Sequence, residues 1–267
     1  MTGSSEQGAL RDTVATACRI LAHQGLAADV LGHVSVRWDA DRILLRCRGP
    51  QDRGLLFTDV EDIHVVHLDG AGQLDGGYSV PNESHIHTEL YRCRPEVNAV
   101  VHAHPRDLVV SDLAGVELRE VFGAYNIPAS RLARQGVPAY PRSVLVRTPE
   151  LGREVTAAMG SADVCILRGH GLVAVGESVE QATLRALDLA ELSRISTEVA
   201  LLGGTPEVLS EDDRRGLPDL GSSFNDLSRW RHYAGRLLVA GLSGQESTRP
   251  DHSPPSVLAN DVIRLPR

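Results

Sequence analysis

Apolar residues recur along the chain with helical spacing in some stretches and with strand-like alternation in others. The helical spacing predicts helices at 10–25, 81–94, 106–114, 149–159, 178–202 and 225–238. The alternating or continuous apolar runs predict strands at 28–38, 43–48, 64–68, 97–103, 144–147, 163–167 and 172–175. Strands that pair as hairpins, with helices between them, predict α/β layers around a largely antiparallel sheet.

Length and composition indicate one domain with a polar extension. The 267 residues are 42% hydrophobic, which is enough for one substantial core. We therefore expect a single domain over residues 1–242. Proline, serine, aspartate and arginine dominate residues 243–267, and this composition predicts an extended or disordered tail.

Charge and residue usage exclude several classes of function. The formal net charge of −8, without a long basic run, makes nucleic acids and anionic membranes poor partners. The polar N-terminus resembles no signal peptide, and we expect a cytoplasmic protein. The sequence contains no lysine, so Schiff-base chemistry is excluded. A carbanion or enolate formed here needs another stabiliser, such as a Lewis-acid metal.

A short apolar strand ends in two histidines that suit a metal. The run A-V-V-H-A-H-P places His102 and His104 on the same face of the predicted strand and closes at Pro105. Neutral imidazoles at a strand end can bind a divalent transition metal, which needs at least one further protein ligand and an open position for chemistry. The alternative is a pair of unrelated surface histidines on an edge strand.

Two other motifs supply further candidate groups. Upstream, P-N-E-S-H-I-H-T-E-L-Y opens a predicted helix with Glu83, whose carboxylate could equally be a favourable charge at a helix N-terminus. Downstream, I-L-R-G-H-G-L-V-A-V-G places His170 between two glycines in a hairpin turn, where a lone histidine is usually structural. In this order and spacing, the three motifs resemble the class II aldolase/adducin family over about residues 10–237.

The resemblance implies a fold, a metal site and an assembly. It implies a three-layer αβα fold with a central, largely antiparallel sheet, and one divalent metal per subunit bound by His102, His104 and His170. Zinc is the expected metal, with iron, manganese and cobalt as alternatives. Glu83 would act as acid/base beside the metal. The family is typically a cyclic homotetramer with sites between subunits, in which Tyr125 would donate a proton to a neighbour's site; otherwise Tyr125 is a loop aromatic at an interface.

The residues expected to bind substrate depart from the family's phosphate sites. Sugar-phosphate aldolases of the family read G-N-x-S where this chain has His33 and Ser35, and S-S-E where it has P-N-E with Asn82. Both phosphate loops are altered, while the metal ligands are kept. Arg46 and Arg48 suit bidentate carboxylate binding if they point inward; otherwise they lie on a solvated strand edge.

These observations favour a small-molecule enzyme with a carboxylate-bearing substrate. The resemblance implies a metal-dependent carbon–carbon lyase, and we expect a non-oxidative decarboxylase of a hydroxylated aromatic acid, as in the family's dihydroxyphthalate decarboxylases. Three alternatives stay open. They are an aldolase cleaving a hydroxy-carbonyl or sugar-phosphate compound, an iron oxygenase acting on a prenylated hydroxyphenyl acid, and a non-catalytic adducin-like interaction module.

Overall fold

The structure, a computed structural model, describes residues 2–27, 29–70 and 74–244, so the predicted tail lies outside the described residues except for 243 and 244. The helices are α1 (Thr2–His23), α2 (Ser84–Cys93), α3 (Arg106–Leu113), α4 (Ile127–Leu132), α5 (Pro149–Met159), α6 (Val179–Leu201), α7 (Glu211–Gly216) and α8 (Arg229–Val239). The strands are β1 (His33–Arg37), β2 (Arg42–Arg46), β3 (Ile63–His67), β4 (Ala99–Ala103), β5 (Ala139–Tyr140), β6 (Val164–Leu167) and β7 (Gly171–Gly176). Short 3-10 turns at Leu55–Phe57 and Val60–Asp62 and a π-helical stretch at Ser223–Ser228 complete the elements.

The seven strands form one mixed sheet in the order β3-β2-β1-β4-β7-β6-β5. Five neighbouring pairs are antiparallel, but the edge pair β5 and β6 is parallel. The prediction of a largely antiparallel sheet is therefore corrected to a mixed sheet. The reason is topological, because β6 follows β5 through the crossover helix α5, and a crossover returns the chain in the same direction.

The predicted strand at 144–147 is wrong. This segment is irregular, and the edge strand is Ala139–Tyr140 instead. The backbone N–H of Val146 donates to the Glu83 carboxylate rather than to a neighbouring strand. A side chain has therefore taken the donor that a strand would need for its ladder.

The sheet separates two apolar clusters, which gives the three αβα layers. Helices α1 and α6 pack on one face, against side chains such as Leu44 and Val101. Helices α2 and α5 pack on the other face, against side chains such as Leu45 and Val100. Side chains of neighbouring residues in a strand point to opposite faces of the sheet. Alternate positions of each strand therefore face different helical layers. Among the described helices, none is both long and apolar enough to cross a membrane.

Helix starts in this fold follow capping rules visible in the sequence. Ser178 precedes α6 and its side chain accepts the N–H of Gln181, while Thr148 precedes α5 and accepts the N–H of Leu151. A hydroxyl at this position satisfies a backbone donor that the first turn leaves unpaired. These caps fix where the longest helix of each layer begins.

Candidate metal centre

His102 in β4 and His104, one residue beyond its end, converge on the α2 face of the sheet. His102 is fully buried, and its Nδ1 lies 2.9 Å from the Leu172 carbonyl oxygen on β7. A carbonyl can only accept, so Nδ1 carries a proton and Nε2 is the ring nitrogen left to face the cluster. That Nε2 lies 2.8 Å from Nε2 of His104. A backbone bond of this kind orients a metal-ligating histidine and raises its basicity.

His170 reaches the same point from the turn between β6 and β7. Its ring centroid lies 5.0 Å from that of His102 and 4.8 Å from that of His104. Gly169 has φ of +58°, a conformation that glycine adopts without a steric penalty. A Cβ on Gly171 would overlap the Ala103 carbonyl oxygen and lie 2.9 Å from Cδ2 of His104. The two glycines thus allow the turn to approach β4 closely.

Two polar side chains fix the turn that presents His170. The Asp112 carboxylate, at the end of α3, accepts the backbone N–H of Gly169 at 2.6 Å. The Ser143 hydroxyl donates to the Arg168 carbonyl at 2.9 Å. Both contacts lie within two residues of His170, so they orient its backbone before any ligand binds.

Glu83 completes the cluster from the N-terminus of α2. One oxygen, Oε1, accepts the N–H of Val146 at 3.0 Å. The other, Oε2, lies 3.4 Å from Nε2 of His102 and 3.5 Å from Nε2 of His170. Burial alone would raise the pKa of the Glu83 carboxyl, but hydrogen bonds from His102 and His170 outweigh burial and hold the pKa well below its usual range. The carboxylate is therefore ionised at neutral pH.

The four ligand atoms of Glu83, His102, His104 and His170 lie within 4.8 Å of one another. Burial and the nearby His102 and His170 lower the pKa of His104 to about 3, so its ring is neutral and available as a ligand. Three imidazole nitrogens and one carboxylate oxygen form a donor set typical of divalent transition-metal sites. Nε2 of His102 faces this shared centre, because Nδ1 is taken by the Leu172 carbonyl, and the residues present therefore fit a metal ion.

The predicted substrate-binding residues of β1 lie beside this cluster. His33 is paired with His102 in the sheet, and the two ring centroids are 4.9 Å apart. Nδ1 of His33 lies 2.6 Å from Nε2 of His87, and Ser35 Oγ lies 2.6 Å from Nδ1 of the same ring. The spacing of Glu83, His87 and Tyr91 at i, i+4 and i+8 predicts that they share one face at α2. It does not indicate that His87 contacts both residues of β1.

The two arginines after β2 have different surroundings. Arg46 lies on the α1 face with Leu44, is only 1% exposed, and pairs with Asp52. Strand alternation therefore places it on the face opposite to the metal cluster, and the expectation that Arg46 binds substrate is corrected to a buried ion pair. Arg48 is half-buried, 3.9 Å from Asp52, and its charge contributes to the lowered pKa of His104.

Asn82 and Tyr125 are both exposed in the single chain. Asn82 directly precedes Glu83 at the start of α2. Tyr125 is 68% exposed, and its hydroxyl donates to Oε1 of Glu191 on α6 at 2.7 Å. Tyr125 is therefore on the α6 side of the chain and is not among the four residues brought together at the metal cluster. Its predicted reach into a neighbouring subunit stays a prediction.

Comparisons with known proteins agree with this geometry. The family model described as Class II Aldolase and Adducin N-terminal domain matches residues 12–197. The 3,4-dihydroxyphthalate decarboxylase of Arthrobacter keyseri is 51% identical to this chain, over 86% of this chain and 94% of that protein. The enzyme of the same description from Terrabacter sp. is 49% identical, over 88% and 99%.

A solved structure shares the fold. The L-fuculose 1-phosphate aldolase from Glaciozyma antarctica PI12 superposes with a TM-score of 0.72 at 19% identity, covering 91% of this chain and 94% of that chain. At this identity the likeness concerns architecture alone. Together with the sequence matches, it leads to one conclusion. The chain belongs to the class II aldolase/adducin family.

Proposed function

We propose that this protein is a metal-dependent decarboxylase of a dihydroxylated aromatic dicarboxylic acid of the 3,4-dihydroxyphthalate class. The observation that supports it most is the convergence of three histidines and one carboxylate, in a chain about half identical to proteins described as 3,4-dihydroxyphthalate decarboxylases. The reaction releases CO₂, leaves the bonding electron pair on a ring carbon, and adds a proton to that carbon.

His102, His104 and His170 would bind the ion, and Glu83 lies close enough to serve as a fourth ligand. We expect zinc, with iron, manganese and cobalt as alternatives that the same donor set accepts. A bound divalent cation supplies Lewis acidity that draws electron density from substrate oxygens. The protein's part is to orient the three rings, which the bond from His102 to Leu172 does for one of them.

Glu83 is the proposed proton carrier. Because its pKa is held low, it is ionised at neutral pH and first accepts a proton, which a substrate hydroxyl can supply. As CO₂ departs, the same carboxyl returns that proton to the ring carbon. The substrate hydroxyl is then a phenolate, which takes one proton from solvent, so the proton count balances. Its Oε1 is bound to Val146, and therefore Oε2 is the oxygen that faces the histidines and would carry the proton.

His33, Asn82 and Arg48 are the proposed substrate-contacting residues, and Ser35, whose buried hydroxyl contacts His87, would support them from the core. They replace a phosphate site with an imidazole, an amide and a guanidinium, which suit carboxylate and phenolic oxygens. The charge of Arg48 contributes to the lowered pKa of His104, which supports a role for this cation near the metal centre. The second carboxylate of a dicarboxylic substrate would pair with the Arg48 guanidinium.

The active assembly is proposed to be a homotetramer with sites between subunits. Tyr125 would then reach the site of a neighbouring subunit as a second proton donor. Its exposure of 68% leaves the ring free to contact another chain, although within one chain its hydroxyl is bound to Glu191. A monomer with full activity would contradict this arrangement.

The test is metal analysis of the purified protein followed by incubation with 3,4-dihydroxyphthalate. We expect about one divalent ion per chain, chelator-sensitive release of CO₂, and a dihydroxybenzoate product. Aldol cleavage, the second candidate because the family model is that of class II aldolases, would instead release an aldehyde from a hydroxy-carbonyl compound. A protein that purifies metal-free and inactive with either substrate would support a non-catalytic role and overturn the proposal.

A further inference from the structure

A chain of hydrogen bonds runs from the metal cluster into the core between β1 and α2. It joins His33, His87, Ser35 and Tyr91, which we call the inner chain. The three contacts are 2.6 Å from His33 Nδ1 to His87 Nε2, 2.6 Å from His87 Nδ1 to Ser35 Oγ, and 2.8 Å from Ser35 Oγ to the Tyr91 hydroxyl. All four side chains are at most 2% exposed. Buried polar groups at such distances form an ordered network, since leaving any of them unpaired is costly.

The Tyr91 end of the inner chain fixes the direction of every bond. Ser35 Oγ, at 2.8 Å, is the hydrogen-bond partner that the structure gives the Tyr91 hydroxyl. A phenol has one proton, and Ser35 is the partner that can accept it. If Ser35 donated instead, the buried proton of the Tyr91 phenol would have no acceptor. We therefore assign Tyr91 as donor and Ser35 Oγ as acceptor.

The same single-proton argument passes along the chain to His33. The Ser35 proton, not needed by Tyr91, goes to Nδ1 of His87. Because Nδ1 of His87 accepts from Ser35, the ring proton of His87 is on Nε2 and is donated to Nδ1 of His33. Nδ1 of His33 is then an acceptor, so the ring proton of His33 is on Nε2. The opposite tautomer of His33 would bring two N–H groups face to face at 2.6 Å.

We propose that His87 is a positioning residue that fixes His33 as its Nε2–H tautomer, so that His33 offers a neutral N–H donor to a carboxylate or phenolate oxygen of the substrate. The position of His33 supports this role. It is the first residue of β1, it pairs with His102 at the metal end of β4, and its ring centroid lies 4.9 Å from that of His102. A fixed donor distinguishes an oxyanion substituent from an N–H or C–H group at the same position. The identity of the ligand rests on the proposed function, whereas the tautomer does not.

The tautomer is tested by ¹⁵N NMR of protein labelled at the histidine ring nitrogens and loaded with zinc. The resonances of His33 are assigned by their loss in His33→Gln. We expect a protonated Nε2 and an unprotonated Nδ1 in the wild type. Ser35→Ala removes the donor to His87 and should convert His33 to a mixture of tautomers, while Tyr91→Phe, which leaves the Ser35 proton free to donate to His87, should keep the wild-type pattern.

Either of two results would overturn the inference. One is a wild-type His33 protonated on Nδ1, and the other is a Ser35→Ala protein whose His33 resonances do not change. Because this measurement needs no substrate, it stands even if 3,4-dihydroxyphthalate is not decarboxylated. Failure of the proposed function would therefore be seen separately, in the CO₂ assay of the wild type.

The consequence for binding is tested with a pair of variants at His87. His87→Leu removes the donor to His33, whereas His87→Gln can still donate from its amide nitrogen and accept from Ser35 through its oxygen. We expect His87→Leu to raise KM for 3,4-dihydroxyphthalate about tenfold with zinc content unchanged, and His87→Gln to recover most of that loss. Equal KM values in wild type and His87→Leu would contradict the role; if His87→Leu does not fold, the Ser35→Ala protein gives the same comparison.

Discussion

Two groups of histidines, the inner chain and the metal cluster, lie side by side on one face of the sheet. They differ in what their ring nitrogens face. In the inner chain, each ring nitrogen that faces the core has a protein partner, and the series ends at the Tyr91 hydroxyl. In the metal cluster, ring nitrogens of His102, His104 and His170 face one another and a carboxylate within 4.8 Å. Nitrogens that converge in this way could hold a cation, whereas those that pair in series fix each other's orientation. The same residue type thus has two different surroundings a few ångströms apart.

The largest effect on turnover should follow from removing one of the proposed ligands of the metal cluster. We expect His102→Ala to lose bound metal and to reduce turnover of 3,4-dihydroxyphthalate by at least about 1,000-fold, since both the cation and its orientation are lost. Metal content and steady-state kinetics measure this. His64→Ala is the matched control, because His64 stacks on Tyr78 at 4.2 Å and belongs to neither group. Comparable losses in both variants would refute the ligand assignment.

Replacing the carboxylate should separate metal binding from proton transfer. Glu83→Gln keeps an oxygen near the histidines but cannot exchange a proton, so we expect metal retention with turnover lowered about 100-fold or more. Solvent deuterium incorporation into the product provides a second measurement. A variant with normal turnover would remove Glu83 from this role.

A smaller effect, on metal affinity, should follow from removing Asp112, which supports the turn that presents His170. Asp112→Ala removes the acceptor of the Gly169 N–H, and we expect metal affinity to fall about tenfold, as is usual when an outer partner of a metal ligand is lost. Asp112→Asn retains an acceptor oxygen and should recover much of the affinity. Titration with a competing chelator gives both values, and unchanged affinity in Asp112→Ala would show that the glycines alone fix the turn.

A separate effect, on stability in acid rather than on turnover or metal affinity, belongs to the inner chain. Burial lowers the pKa of His87 to about 3 in the folded protein, against about 6.5 when unfolded. Between these values the unfolded chain binds a proton that the folded chain excludes, so stability falls as the pH drops below 6.5, by up to about 1.4 kcal/mol per pH unit for one such group. Urea unfolding of His87→Gln from pH 7 to 4 should show a shallower decline than wild type; parallel curves would contradict the assignment.

Much of the fold was predictable because its long elements have strong periodicity. The helix at 178–202 and the buried strand ending in His102 were placed within a few residues of α6 and β4. The two-residue strand Ala139–Tyr140 was not, since so short an edge strand has no pattern of its own and depends on β6 for its hydrogen bonds. Its parallel direction also follows from topology rather than from local sequence.

The candidate site was predictable in its residues but not in their contacts. Motif order indicated His102, His104, His170 and Glu83, which the structure brings together. Sequence spacing could not show that Arg46 pairs with Asp52 on the far face, because the face depends on how β2 registers with its neighbours. The links between His87 and β1 join residues more than 50 positions apart, and no local pattern encodes a contact of that range.

Gly171 limits how this enzyme can be altered. Any Cβ there would overlap the Ala103 carbonyl and press on the His104 ring. Laboratory libraries that randomise the loop around His170 should therefore recover glycine at position 171 in every active clone, while residue 168, whose side chain is half exposed, accepts variation. Designers seeking a new specificity have freedom along the rim of this turn but none at the point where it touches the sheet.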